Sequence, residues 1–186
     1  MSKLPGAPAA RSGWIAAEFT PEECELIARW LSKREGAIAP RLAAFAPEEF
    51  RPWLAHLQIY EVAGGRYLCR LSGNGAVREK GLDWNGKHLD EVTAPEVYAN
   101  AKPLFDRARV NGRPLRYRGR TLTPDGSWRS YRRMLLPVRR GGESCDTLIS
   151  LLNYEQQAAP ARAGNTILGS WELSESDLRE GFSCAA

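Results

Sequence analysis

The spacing of hydrophobic residues changes repeatedly along the chain, and each change marks an element. Thr20-Pro21-Glu22-Glu23 offers a capping hydroxyl, a proline for the first helical position and a glutamate that closes a capping box. Leu26, Ile27, Trp30 and Leu31 follow at helical spacing as far as Gly36, which predicts a helix of about four turns with a narrow apolar stripe. A second short helix is expected from Pro47 to Trp53. The period then falls to two: Leu54 to Val62 and Arg66 to Leu71 alternate on either side of Ala63-Gly64-Gly65, the pattern of a β-hairpin. Residues 73–92 are broken by Gly73, Gly75, Gly81 and Gly86 and predict small helical turns. Helical spacing returns at Val97, Ala101, Leu104, Phe105 and Ala108, with Asn111-Gly112 as the stop and Pro103 predicting a kink near Lys102. Three strand patterns close the series, Leu115 to Leu122, Trp128 to Val138 and Cys145 to Tyr154, joined by turn sequences at Asp125-Gly126 and Gly141-Gly142.

This order predicts an α+β fold: an antiparallel five-stranded sheet with a helical crossover, helices on one face and an N-terminal flanking helix. The expected organisation is a flexible leader over 1–18, a flanking helical segment over 19–49, the principal domain over 50–155 and a C-terminal tail over 156–186. In that tail, Trp171, Leu173, Leu178 and Phe182 among acidic residues suggest a docking segment that is otherwise unstructured.

A length of 186 residues suits one domain with extensions, and 43% hydrophobic with 26% charged residues suits an ordinary packed core. No apolar run approaches the roughly 18–20 residues that cross a bilayer. Met-Ser-Lys-Leu-Pro lacks the apolar core of a signal peptide, so a cytoplasmic location is expected. Cys24, Cys69, Cys145 and Cys184 are scattered without metal-ligand spacing, and ordinary reduced thiols are the expectation. No metal site is expected.

Charge adds a local feature. Between residues 107 and 140 stand eleven arginines and one acid, Asp125, so this window carries +10 in a chain of net charge +4. Alternation along Arg116-Tyr117-Arg118-Gly119-Arg120 puts Arg116, Arg118 and Arg120 on one face of a strand and Leu115, Tyr117 and Thr121 on the other. Such a face suits an acidic protein partner, a second copy of the chain, or a nucleic acid or cyclic dinucleotide through residues 113–133; a solvated face is the bland alternative. Leu26, Ile27, Trp30 and Leu31 are equally suited to dimerisation and to packing on the chain's own sheet.

Three segments carry a resemblance. Arg66 to Asn74, Gly81 to Glu91 and Met134 to Val138 are similar, in order and spacing, to segments of the single-domain PAS-like proteins of the PAS-5 type common in alphaproteobacteria. The likeness covers residues 50–155. It implies a non-catalytic sensory or regulatory module that acts in bacterial signalling by binding a small ligand, by protein association as a homodimer or with a signalling partner, or by both. An enzyme is not expected, since nucleophile, phosphate-binding and metal-hydrolase motifs are missing. The cofactor is left open. Haem is not expected, because His88 falls in a glycine-bounded loop turn, and flavin is not expected, because Cys69 falls mid-strand. A pocket would be lined by Val97, Ala101, Leu104 and Phe105 from the long helix, and by Tyr67, Leu71, Tyr117 and Met134 or Leu135 from the sheet.

Overall fold

The computed structural model describes residues 19–122, 126–158 and 166–174. Helix α1 (Pro21–Ser32) begins as predicted: the Glu23 amide donates to Thr20 Oγ1 at 3.2 Å and the Glu23 carboxylate accepts from the Thr20 amide at 3.0 Å. It ends four residues before Gly36. Two short 3₁₀ segments, Leu42–Ala44 and Pro47–Trp53, lead to the hairpin of β1 (Leu57–Ala63) and β2 (Arg66–Ser72). Gly64 and Gly65 close that hairpin at φ values of +58° and +77°, which few side chains adopt. The crossover consists of α2 (Asn74–Lys80), α3 (Leu89–Val92) and α4 (Pro95–Asn111). Helix α4 continues through Pro103 without a break and stops at Gly112.

Strands β3 (Leu115–Leu122), β4 (Trp128–Val138) and β5 (Thr147–Ala158) pair antiparallel in sequence. With β1 joined to β5, the order β2-β1-β5-β4-β3 gives the PAS-like α+β arrangement expected from the pattern. Two features differ from the expectation. Among the described residues the sheet has six strands, because β6 (Ile167–Glu172), inside the segment read as a tail, pairs antiparallel with the edge of β3. Gly169 and Ser170 interrupt its alternation, so its strand character depends on the open edge offered by β3. Both faces of the sheet are covered, not one.

The two covers form separate cores. On one face Tyr60, Tyr67, Tyr117, Tyr131, Leu135 and Leu152 of the sheet pack against Phe105 and Ala108 of α4. On the other, Leu26, Ile27 and Trp30 of α1 pack with Phe45, Phe50 and Trp53 on Met134, Leu136, Val138, Ile149 and Leu151. The structure therefore places Leu26, Ile27 and Trp30 against the chain's own sheet, with Leu31 half-buried at the margin. Trp30 Nε1 donates to the Pro137 carbonyl at 2.6 Å, tying α1 to β4.

The thiol expectation needs one correction. Cys24 is disulfide-bonded, whereas Cys69 and Cys145 are free and buried, and Cys184 lies outside the described residues. Sequence spacing says nothing about which distant thiol a fold brings to a helix surface. The disulfide removes the thiol argument for a reducing compartment. No helix among the described residues is long and apolar enough to cross a membrane. The predicted leader, residues 1–18, lies outside the described residues, as do Leu178 and Phe182 of the proposed docking segment.

Candidate functional site

Strand β4 alternates between the two cores, and this sets the chemistry of the helix-covered face. Met134, Leu136 and Val138 point toward α1, so Tyr131, Arg133 and Leu135 point toward α4. Arg133 stands in register between Tyr117 of β3 and Leu152 of β5, both core residues. A guanidinium is thereby placed inside an aromatic core, with 4% of the residue exposed.

Beside it lies a small, partly open cleft lined by Trp84, Leu89, Thr93, Val97, Ala101, Tyr117, Thr121, Tyr131, Leu152 and Tyr154, about 20 Å³ in volume, room for a water-sized group. The Arg133 guanidinium faces four rings, Phe105 at 5.4 Å, Tyr60 and Trp84 at 5.8 Å and Tyr131 at 6.0 Å from the centroids, within cation–π range. Burial works against its charge and the surrounding ring faces favour it, so the guanidinium stays cationic. Burial likewise pushes the Tyr60, Tyr117 and Tyr131 hydroxyls up, so all three stay protonated at neutral pH. Four buried polar atoms on residues that line the cleft, Arg133 Nε, Trp84 Nε1, Thr93 Oγ1 and Tyr117 Oη, have no hydrogen-bond partner among the described residues.

Local sequence explains the space. A Cβ on Gly119 would lie 2.6 Å from Tyr131 Cζ and Oη, so glycine lets that ring lie over β3. Gly119→Ala is expected to push Tyr131 aside and alter the cleft, seen as shifted Tyr131 ring resonances with the sheet intact. At the other side α3 is held by Arg66, which donates to Asp90 and to Glu91 at 2.9 Å. The His88 amide and the Arg66 guanidinium together draw the Glu91 pKa down to about 2 from the usual 4.5. Its folded pKa being depressed, the contribution of Glu91 is complete above about pH 4.5 and is lost as the pH falls toward about 2. A carboxyl-carbon NMR titration should therefore place the Glu91 midpoint near 2, and Arg66→Met should move it upward.

Several candidates fall elsewhere. Val97, Ala101 and Tyr117 line the cleft, while Tyr67, Leu104, Phe105 and Leu135 belong to the core beside it. Tyr67 donates its hydroxyl to Asp106 Oδ1 at 2.6 Å. Met134 and Leu71 must be withdrawn as pocket residues, because both pack with the α1 core across the sheet. For Met134 the parity of β4 decides this; for Leu71 the irregular register between Ile59 and Tyr60 shifts the face. Cys69 is fully buried and burial pushes its thiol up to about 12, a core thiol without nucleophilic character.

Comparison by sequence finds no matching family model and no matching curated protein. Similar solved structures include a single-residue variant of RsLOV, with TM-score 0.46 and 17% identity over 63% of this chain and 69% of that one. An RNA-binding light-oxygen-voltage receptor matches with TM-score 0.42 and 18% identity over 61% of this chain and 35% of the receptor.

The arginine strand is more occupied than its alternation suggests. Arg116 approaches the Glu23 carboxylate at 3.5 Å and lies over the Phe19 ring, Arg118 pairs with Glu155, Arg132 reaches the same carboxylate at 4.0 Å, and Arg120 is buried. These neighbours differ in weight. Arg118→Gln is expected to change stability by less than about 1 kcal/mol, since that pair is half exposed and screened. Arg116→Gln should cost about 2 kcal/mol, because it leaves the Glu23 carboxylate, 1% exposed, without its cation. Urea denaturation of the two variants checks the difference.

Proposed function

We propose that the protein is a non-catalytic sensory or regulatory module that binds a small ligand in the cleft between α4 and the sheet and passes occupancy to the outer face of the sheet. The observation that carries this reading is a buried guanidinium, Arg133, which stands with the unpartnered polar atoms Trp84 Nε1, Thr93 Oγ1 and Tyr117 Oη on the residues that line one small, partly open cleft between α4 and the sheet. A small polar ligand reaching this cleft would give these groups the partners they lack.

Strand β4 supplies the route outward. Arg133 faces the cleft, and four residues later the Pro137 carbonyl accepts from Trp30 of α1. A ligand that shifts β4 would alter the seat of α1, and association with a second copy or a signalling partner would follow from that change. Nucleic-acid binding through residues 113–133 is the weaker reading, because Arg116, Arg118 and Arg132 already face carboxylates and Arg120 is buried.

The test is native mass spectrometry of the full chain exposed to a small-molecule cell extract, beside Ala101→Leu, which fills the cleft from α4. The wild type should acquire a discrete small-molecule mass that the variant lacks while giving the same circular dichroism. Identical spectra without any added mass would count against a ligand cleft.

A further inference from the structure

Beside α1, the outer face of the sheet carries a groove of about 580 Å³ along β3, β4 and β6. Arg118 and Arg132 are cross-strand partners on its floor, and both guanidiniums reach one carboxylate, Glu155. Like charges set opposite each other on a sheet repel, and a single carboxylate offsets only one of the two. The pair therefore keeps a surplus positive charge, and Arg132 Nε has no hydrogen-bond partner among the described residues. Gly169 stands opposite Arg118 on β6, where a Cβ would meet nothing within 4 Å, so that strand does not fill the floor. Leu168 and Trp171 add an apolar wall.

Two observations name an occupant. The first is the disulfide of Cys24: Cys69 and Cys145 are free, so of the four cysteines only Cys184 remains as a partner within the chain. The second is position. Cys24 follows Glu23, whose carboxylate lies 3.5 Å from Arg116, and Phe19 meets Trp171 edge-on at 4.8 Å, so the start of α1 stands at the rim of the groove. From the other side β6 leads the chain past Trp171 to the buried Leu173, whose amide donates to the Pro114 carbonyl at 2.9 Å. The stretch from Ser174 to Cys184 can span up to roughly 33–36 Å, against roughly 10 Å across β6, β3 and β4. It carries Glu175, Asp177 and Glu180 against Arg179, with Leu178 and Phe182 as apolar residues.

We propose that residues 175–186 dock in this groove as an acidic strap, tied by a disulfide between Cys24 and Cys184, and close it to acidic partners from outside the chain. The carboxylates answer the surplus charge at Arg118 and Arg132, and the apolar residues of the strap cover Leu168 and Trp171. The closure is redox-sensitive. A dithiol gives up two electrons and two protons, the Cys24–Cys184 bond becomes two thiols, and the dithiol becomes a cyclic disulfide. Reduction removes one of the two anchors of the strap, lowers its effective concentration at the groove and favours an acidic partner in its place. The strap works whether or not a ligand fills the cleft under α4.

Trypsin digestion of the monomeric full chain without reductant, read by mass spectrometry, should give peptide 12–29, which holds Cys24, joined to peptide 180–186, which holds Cys184. Dithiothreitol should separate them. Glu175→Gln, Asp177→Asn and Glu180→Gln together neutralise the strap and leave the disulfide in place; this variant should show shifted Arg118 and Arg132 Nε–H resonances and a shifted Gly169 amide, with unchanged circular dichroism. Tetraglutamate, as a probe of access, should bind the oxidised wild type at least about tenfold more weakly than the reduced neutral variant, the factor for a groove covered nine-tenths of the time. A Cys24 thiol left unlinked or linked across two copies, unmoved Arg118 and Arg132 resonances, or equal tetraglutamate affinities would each overturn the proposal.

Discussion

Replacing Trp30 by alanine is expected to destabilise the protein by about 3–5 kcal/mol, among the largest effects of any single substitution. The side chain is fully buried where α1, the 3₁₀ segments and β4 meet, so its loss leaves a cavity that the sheet cannot close. It also leaves the Pro137 carbonyl without the indole donor. Trp30→Phe separates the two contributions, since it keeps most of the apolar volume and removes only the hydrogen bond, for about 1 kcal/mol. Urea unfolding with an unchanged m-value would show that the native state, not the denatured one, has been altered. A small effect for Trp30→Ala would mean that α1 does not rest on this sheet in solution.

Phe105→Ala is expected to cost a similar amount, about 3–5 kcal/mol, for a different reason. The ring stands edge-on to Tyr60 and Tyr67, at centroid distances of 5.4 Å and 5.0 Å, and lies 5.4 Å from the Arg133 guanidinium. Its removal therefore opens a void under α4 and takes away one of the four rings around a buried charge. The variant should show a lower denaturant midpoint together with perturbed Trp84 and Tyr60 resonances, because these residues share the same cation. If the midpoint is unchanged, α4 does not face the sheet, and the cleft described between them does not exist.

The sheet and crossover were legible because each element carries a local signal: period-two runs bounded by glycine turns, and the spacing of Val97, Ala101, Leu104 and Phe105 on α4. The covering of the second face was undecided for a physical reason. The stripe of Leu26, Ile27 and Trp30 fits any apolar surface, and only tertiary contact identifies that surface as Met134, Leu136 and Ile149. Strand β6 escaped notice because Gly169 and Ser170 obscure its period and the edge of β3 supplies what local propensity lacks.

Much less of the cleft was visible. Arg133 looked like one more member of a basic run, since Trp128 to Val138 is apolar on both faces and a strand does not announce which side is inward. A usable signal lay in parity with Tyr131 and Leu135, which places residue 133 on the aromatic side once the face of α4 is known. Trp84 and Thr93 sit in connections around short α3, where no period operates, and their convergence on Arg133 depends on the chain path alone.

The central claim, that a small ligand enters between α4 and the sheet, is tested most directly by mapping backbone and side-chain NMR shifts as the full chain is titrated with a small-molecule cell extract. The account predicts the largest changes at Trp84, Val97, Ala101, Tyr117 and Arg133, with smaller ones reaching Pro137 and the Trp30 indole through β4. Saturable changes confined to the groove around Arg118, Arg132 and Trp171, with Arg133 and Trp84 unmoved, would contradict it.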